Sequence, residues 1–296
     1  MSKLLAIFGA TGNQGSSIIN FVLNDPELST QYRIRAITRD VSFPKAKALP
    51  STIEVVAADT SDPATITSAL KDVHTVFLMS TPAFGPNALS SEFQTIKTTV
   101  DIAISQNVQY IIFSTLPPVS QISSGKYTLV TPFDAKAKAE EYIRSLSLPK
   151  SPAHSTVPVH SWRISCNPPP PRSAKSQSKE KEKNTGKFVG AILADLEKFK
   201  GKTLRAMEKW YSLEEIVEKL SEVTGKRVEY RQVESKQKVE EMGFWEGMFV
   251  EYFGYLEEFG YFGPGQEEEL EWSRGVVRGE LVEFEKWLER QEIVLT

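Results

Sequence analysis

From its start to about residue 150 the chain alternates short apolar runs with stretches whose apolar residues recur every three or four positions. The runs lie at 3–8, 33–38, 53–57, 75–79 and 109–113. Each is too short for a helix and most are rich in Ile, Val or Phe, which predicts buried strands. Helical periodicity fills 16–24, 63–71 and 91–106. In the first of these Ile18, Ile19, Val22 and Leu23 share one face. The second opens with Asp62 as N-cap and Pro63 in the first helical position. Apolar strands separated by helices predict an α/β fold, a doubly wound parallel sheet of Rossmann type with helices on both faces.

Residues 151–185 break the alternation. Seven prolines lie between Pro149 and Pro171, and 173–183 carries only Ser, Ala, Gln, Lys and Glu, so no apolar face survives there. The segment reads as an irregular insertion more readily than as a proline-rich ligand for an SH3- or WW-type partner. Order returns at 186–196. Ser212-x-x-Glu215 is a capping box that opens a helix with Ile216, Val217 and Leu220 inward and Gly225 at its end. Strand character follows at 227–233, then helical stretches at 236–259 and 267–290 around a glycine-bearing turn at 260–265. The aromatic stretch 244–262 has the spacing of core packing, with an apolar substrate pocket or a partner groove as alternatives. The chain thus divides into 1–150, 151–185 and 186–296.

Composition narrows the function classes. A chain of 296 residues buries a sizeable core in one large domain or two smaller ones. A net charge of −3 gives no global field for nucleic acid or an anionic membrane, and the lysine-dense run at 175–183 is interleaved with glutamates. No run approaches the ~18 apolar residues of a membrane span. The first apolar stretch leads straight into a glycine turn, unlike a signal peptide. The single cysteine, Cys166, excludes an intrachain disulfide and suits a reducing compartment. The expected location is the cytoplasm, with the nucleus also open. His74, His154 and His160 show no metal-ligand spacing with Cys166 or with carboxylates, so no metal is expected.

The chemistry concentrates after the first strand, in Gly9-Ala10-Thr11-Gly12-Asn13-Gln14-Gly15. Strand, glycine turn and helix N-terminus form a cradle for a dinucleotide pyrophosphate. The first glycine allows the tight turn, the second a close backbone approach to phosphate, and the third close helix–strand packing. Thr38-Arg39-Asp40 ends the second strand. A carboxylate first in this place favours NAD, whereas an arginine first offers a bidentate, stackable partner for the 2′-phosphate of NADP. Arg39 precedes Asp40, so NADP(H) is preferred over NAD(H). Asp59-Thr60 closes the third strand, where the aspartate either receives the adenine amino group or caps the next helix. Ser80-Thr81 closes the fourth strand at the same edge.

A short-chain reductase also needs Tyr-x-x-x-Lys on the helix after the fifth strand, the tyrosine passing a proton to the substrate oxygen. None of the nine tyrosines has lysine four residues later. The lysine that fits is Lys136, and the residue four before it is Pro132, which transfers no proton. Ser114 and Thr115 end the fifth strand without that acid partner.

These residues resemble the NmrA-like family of atypical short-chain reductases. The matching pieces are the glycine turn, Thr38-Arg39, Phe133-Asp134-Ala135-Lys136 with Glu140-Glu141-Tyr142, Asn184-Thr185-Gly186-Lys187-Phe188-Val189, residues 211–234, and Phe284-Glu285-Lys286-Trp287-Leu288. The resemblance implies an extended Rossmann domain with a small C-terminal α+β lobe, binding NADP(H). It implies a cofactor set of Gly9, Thr11, Gly12, Asn13, Gln14, Gly15, Thr38, Arg39, Asp59, Thr60, Ser80, Thr81 and Lys136, with Lys136 also the one catalytic candidate. Two functions are expected from it. The first is a redox-sensing regulator that holds a transcription factor or metabolic enzyme with little or no turnover. The alternative is an NADPH-dependent oxidoreductase acting on a small carbonyl or unsaturated substrate. The family's sixth strand ends in Arg-Pro. Here 157–164 keeps a strand, with Arg163 in the arginine's place, and the proline tract replaces the residues expected over the nicotinamide.

Overall fold

β1 (Lys3–Phe8) is buried along all but its first residue, because it lies at the centre of a sheet covered on both faces. The computed structural model describes residues 2–146, 154–158, 184–229 and 244–290. Among these, β1, β2 (Tyr32–Thr38), β3 (Glu54–Ala57), β4 (Thr75–Leu78), β5 (Tyr110–Thr115) and β6 (His154–Pro158) form one sheet in the order β3-β2-β1-β4-β5-β6, every pair parallel. The order reverses between β1 and β4, so a crevice opens there at the carboxyl ends of the strands.

Side-chain alternation along β1 sorts the core into two layers. Leu5 and Ile7 enter one apolar cluster with Ile18, Ile19 and Val22 of α1 (Asn13–Asn24) and Phe188, Val189 and Ile192 of α8 (Thr185–Ala194). Leu4, Ala6 and Phe8 enter the other. There they meet α4 (Pro63–Ala69), α5 (Ala88–Ser105) and α7 (Thr131–Ser145) through Ile66, Ile96, Val100, Ala139 and Ile143. The short helices α2 (Leu28–Gln31), α3 (Pro44–Lys47) and α6 (Val119–Ile122) sit in the connections. This is the doubly wound parallel sheet that the sequence predicts.

α8 packs onto α1 at close range. A Cβ on Gly186 would lie 2.3 Å from the Ser17 carbonyl oxygen, and the Gly186 N–H donates to Ser17 Oγ at 2.9 Å. Tyr32 Oη donates to the Leu193 carbonyl at 2.9 Å, tying the end of α8 to β2. The segment that opens the third part of the chain therefore covers one face of the sheet. Among the described residues β6 lies at the sheet edge, where a proline at its end is tolerated because no described strand needs an N–H there. It begins three residues before the predicted 157 because its register follows β5, Ile111 opposite His154 and Thr115 opposite Pro158. Residues 159–164, Arg163 included, lie outside the described residues, as do the proline tract, the lysine-dense run and Cys166.

Beyond α8 the described residues hold α9 (Leu213–Thr224), α10 (Phe244–Phe259), α11 (Gln266–Gly275) and α12 (Phe284–Glu289). α9 has the predicted capping box: Glu215 N–H donates to Ser212 Oγ and Ser212 N–H to Glu215 Oε2, and Gly225 closes the helix at φ 66°. Its Ile216 and Leu220 pack with Leu288 of α12. The strand expected at 227–233 is absent at 227–229, and 230–233 lie outside the described residues, as do 236–243 of the next predicted helix. The aromatic stretch is core in part: Tyr255 packs with Val119 and Val130, and Tyr261 and Phe262 with Met207 and Leu270, whereas Phe249 and Phe253 are exposed.

The single helix expected over 267–290 is two. Between α11 and α12, Gly279 adopts φ 94°, and tertiary bonds take over from helical ones. Asn184 pairs with the Val282 backbone in both directions, at 2.9 and 2.8 Å. Arg278 grips Asp25 at 2.7 and 3.0 Å and Glu27 at 2.7 Å. Among the described residues no helix is long and apolar enough to cross a membrane.

Candidate functional site

The chain turns sharply after β1. Gly9 takes φ 65°, which favours glycine, and its carbonyl accepts the Gly12 N–H at 2.8 Å. Gly12 is the N-cap of α1. No side chain caps that end and no acidic residue stands in the first turn, so the positive end of the helix dipole meets no competing carboxylate from its own helix. A Cβ on Gly15 would lie 2.4 Å from the Gly9 carbonyl oxygen, so only glycine lets α1 start this close to the strand. Gly12 and Asn13 are exposed, Thr11 and Gln14 half-buried. A backbone-lined helix N-terminus of this kind fits the pyrophosphate of a dinucleotide.

Register gathers the other strand ends beside this turn. Phe8 lies opposite Ile37, Ile7 opposite Phe77 and Thr38 opposite Ala57, so Gly9, Arg39, Asp59 and Ser80 all follow the same edge. Arg39 is exposed and in no salt bridge among the described residues. Asp40 turns away: its Oδ1 accepts the Ser42 N–H at 2.7 Å, and the Ser42 bonds hold its carboxyl below the ordinary range. Thr38, half-buried, donates to the Asp40 carbonyl at 3.4 Å. Asp59 does not cap α4, which Asp62 does by accepting the Ala64 N–H at 3.0 Å. Asp59 instead accepts from Ser61 N and Oγ at 2.8 and 2.7 Å. Those bonds, with a smaller contribution from the Arg39 charge, hold its carboxyl low.

Beyond β4 lies a cavity of about 130 Å³ lined by Thr60, Met79, Ser80, Thr81, Glu92 and Thr95, among others. Glu92 is buried on α5, outside every motif that the sequence displays. Its Oε1 accepts from Ser80 Oγ at 2.6 Å and from Lys136 Nζ, and its Oε2 accepts the Ala83 N–H at 3.3 Å. One signal could have found it: Glu92 falls four and eight residues before Ile96 and Val100, an acid on an apolar face.

Lys136 is buried too, its carbonyl accepting from Thr115 Oγ1 at 3.3 Å. Pro132 sits one turn before it in the first turn of α7, so no acid occupies that position. Ser114 is buried at the end of β5. The remaining motif residues brace the helix. Asp134, whose carboxyl burial pushes up, accepts the Ser120 N–H at 3.0 Å, and Tyr142 Oη donates to Asp101 of α5. The tyrosines on the α10 side offer no ready acid: burial pushes Tyr252 and Tyr255 up to about 12. The structure thus brings together the glycine turn, Arg39, Asp59, Thr60, Ser80, Thr81 and Lys136 along one edge, and it adds Glu92.

A family model described as the NmrA-like family matches residues 1–293. Over 263 residues the chain is 25% identical to an NmrA-like family domain-containing oxidoreductase, FrzB, of Cladobotryum, covering 79% of this chain and 77% of that protein. Among solved structures, Citrobacter triphenylmethane reductase complexed with NADP(H) aligns at a TM-score of 0.71 and 15% identity, covering 98% of this chain and 99% of that one. The NADPH-dependent quinone oxidoreductase QOR2 of Escherichia coli, complexed with NADPH, aligns at 0.61 and 17% identity, covering 92% and 98%. At these identities the solved structures speak to the fold alone. The family match spans nearly the whole sequence, and the chain belongs to the NmrA-like family.

Proposed function

We propose that the protein binds NADP(H) and acts as a redox-sensing regulator, its nucleotide state governing its hold on a protein partner, with little or no turnover. The observation that carries this reading is the contrast within one site. The glycine turn and the exposed Arg39 suit a 2′-phosphorylated dinucleotide, while Pro132 stands where a reductase places its proton donor. The pyrophosphate falls to the Gly9–Gly15 turn, the 2′-phosphate to Arg39, the adenine to Asp59 and Thr60, and the ribose nearest the nicotinamide to Lys136 with Ser80 and Thr81 nearby. When bound, the nicotinamide supplies a hydride donor or acceptor. The partner class is a transcription factor or a metabolic enzyme, and the site of action is the cytoplasm or nucleus.

A second reading has its own support. FrzB, which matches 79% of this chain, is named an oxidoreductase. In this reading the protein reduces a small carbonyl or unsaturated substrate, with Lys136 catalytic and Ser114 or water delivering the proton. A spectrophotometric assay separates the two. NADPH is mixed with a panel of aldehydes, ketones, enones and quinones, and oxidation is followed at the nicotinamide band. Flat traces from a chain that binds NADPH are the expected result. Turnover that disappears in a folded Lys136→Ala variant would establish the reductase instead.

A further inference from the structure

Glu92 stands where α5 should be apolar. Ile96 and Val100 continue the same face into the core, and Glu92 is only 2% exposed. Taking a carboxylate and an ammonium out of water is costly, and a buried pair often does no better for stability than two apolar side chains. Stability alone therefore gives no reason for the pair. Its contacts are specific. One carboxylate gathers Ser80 Oγ and Ala83 N from the β4–α5 connection and Lys136 Nζ from α7. Thr115 at the end of β5 holds the lysine's backbone from another side. Glu92 also lines the cavity at the carboxyl edge of the sheet, beside Ser80 and Thr81.

We propose that Glu92 is the positioning residue for Lys136, fixing its ammonium at the crevice so that the cation meets the nucleotide in one orientation. The proposal rests on the NADP(H) reading above. An ammonium has three N–H donors; Glu92 takes one and leaves two for ribose hydroxyls. Without the carboxylate the four-carbon stem is free to swing, and the cation loses its fixed place. Ser80, which also lines the cavity, gives its proton to the same carboxylate oxygen, so its hydroxyl keeps only acceptor capacity. With Pro132 one turn earlier, Lys136 has no tyrosine at that position to assist, and its role at this edge is to hold the nucleotide.

The test uses the full chain, the variants Glu92→Gln, Lys136→Met and their combination, and two probes. NADPH reaches Lys136, whereas adenosine 2′,5′-bisphosphate carries only the end assigned to Arg39. Calorimetric titration is expected to show NADPH binding about tenfold weaker in Glu92→Gln, with the bisphosphate within about twofold of the unaltered chain. In the Lys136→Met background the glutamine substitution adds nothing further. Equal losses for both probes, additive losses in the combined variant, or unchanged NADPH affinity would each overturn the proposal, the first by showing a merely structural role. If Glu92→Gln does not fold, Glu92→Asp keeps the charge, shortens the reach by one methylene and is expected to weaken NADPH alone, by about threefold. An unaltered chain that binds neither probe overturns the NADP(H) reading itself. One that binds both while the variants leave NADPH unchanged overturns only the role given to Glu92.

Discussion

Arg39 and Asp40 follow β2 side by side, yet they end in different places. Asp40 folds back onto Ser42, while Arg39 reaches into solvent beside Asp59. Of the two, the arginine is thus the side chain left exposed at the edge, and under the proposed function it is the one that meets the 2′-phosphate. A guanidinium hydrogen bond to phosphate is of the charge-assisted kind, contributing about 1.5–3 kcal/mol. Arg39→Ala is therefore expected to weaken NADPH binding by roughly ten- to a hundredfold and to leave NADH binding unchanged, measured by parallel titrations. Equal losses for both nucleotides would remove Arg39 from the 2′-phosphate. Gly9 and Gly15 were legible in the sequence, because each answers a local backbone demand. Glu92 was legible only as an acid on an apolar face; its meaning depends on α7 arriving beside α5, and nothing within the local sequence announces that partner.

Single elements show where local pattern suffices. α9 begins and ends as its residues dictate, with Ser212 and Glu215 exchanging bonds and Gly225 left-handed. Loss of the capping hydroxyl in Ser212→Ala is expected to cost about 1 kcal/mol, seen as a lower urea midpoint, with NADPH affinity unchanged because α9 lies outside the proposed site. A loss of affinity instead would couple α9 to the nucleotide. Pattern misled at 267–290, where periodicity continues in the sequence but the backbone leaves the helix at Val276. The cause is tertiary. Arg278 bonds to Asp25 and Glu27 and gives its N–H to the Lys187 carbonyl of α8, Val282 pairs with Asn184, and these outweigh continued helix. The close fit of α8 on α1 was likewise hidden. Gly186 and Gly190 sit four apart, but only the approach of Ser17 and Phe21 explains why both are glycine.

Across the whole molecule the alternation of strands and helices was enough to foresee the sheet, and the strand order follows from chain connectivity that no single segment displays. The Asp25–Arg278 pair joins distant parts of the sequence. Burial works against the Asp25 carboxylate, but Arg278 and the Leu28 and Glu27 N–H groups outweigh it and hold its pKa below the ordinary range. A depressed carboxyl stabilises the fold above its unfolded pKa, and that contribution fades as pH falls through the folded value. Arg278→Ala is accordingly expected to lower stability by about 1–2 kcal/mol at pH 7, with the gap to the unaltered chain closing as urea midpoints are followed down below the ordinary carboxylate range. A gap that stays constant would mean that the arginine acts through packing alone.

The central claim is that the crevice between β1 and β4 holds a 2′-phosphorylated dinucleotide. Calorimetric titration of the unaltered chain with NADPH, NADP⁺ and NADH in one buffer tests it most directly. One site per chain is expected, with NADPH and NADP⁺ binding at least tenfold more tightly than NADH, as a guanidinium–phosphate contact requires. No heat with any of the three, or tighter binding of NADH, would contradict it.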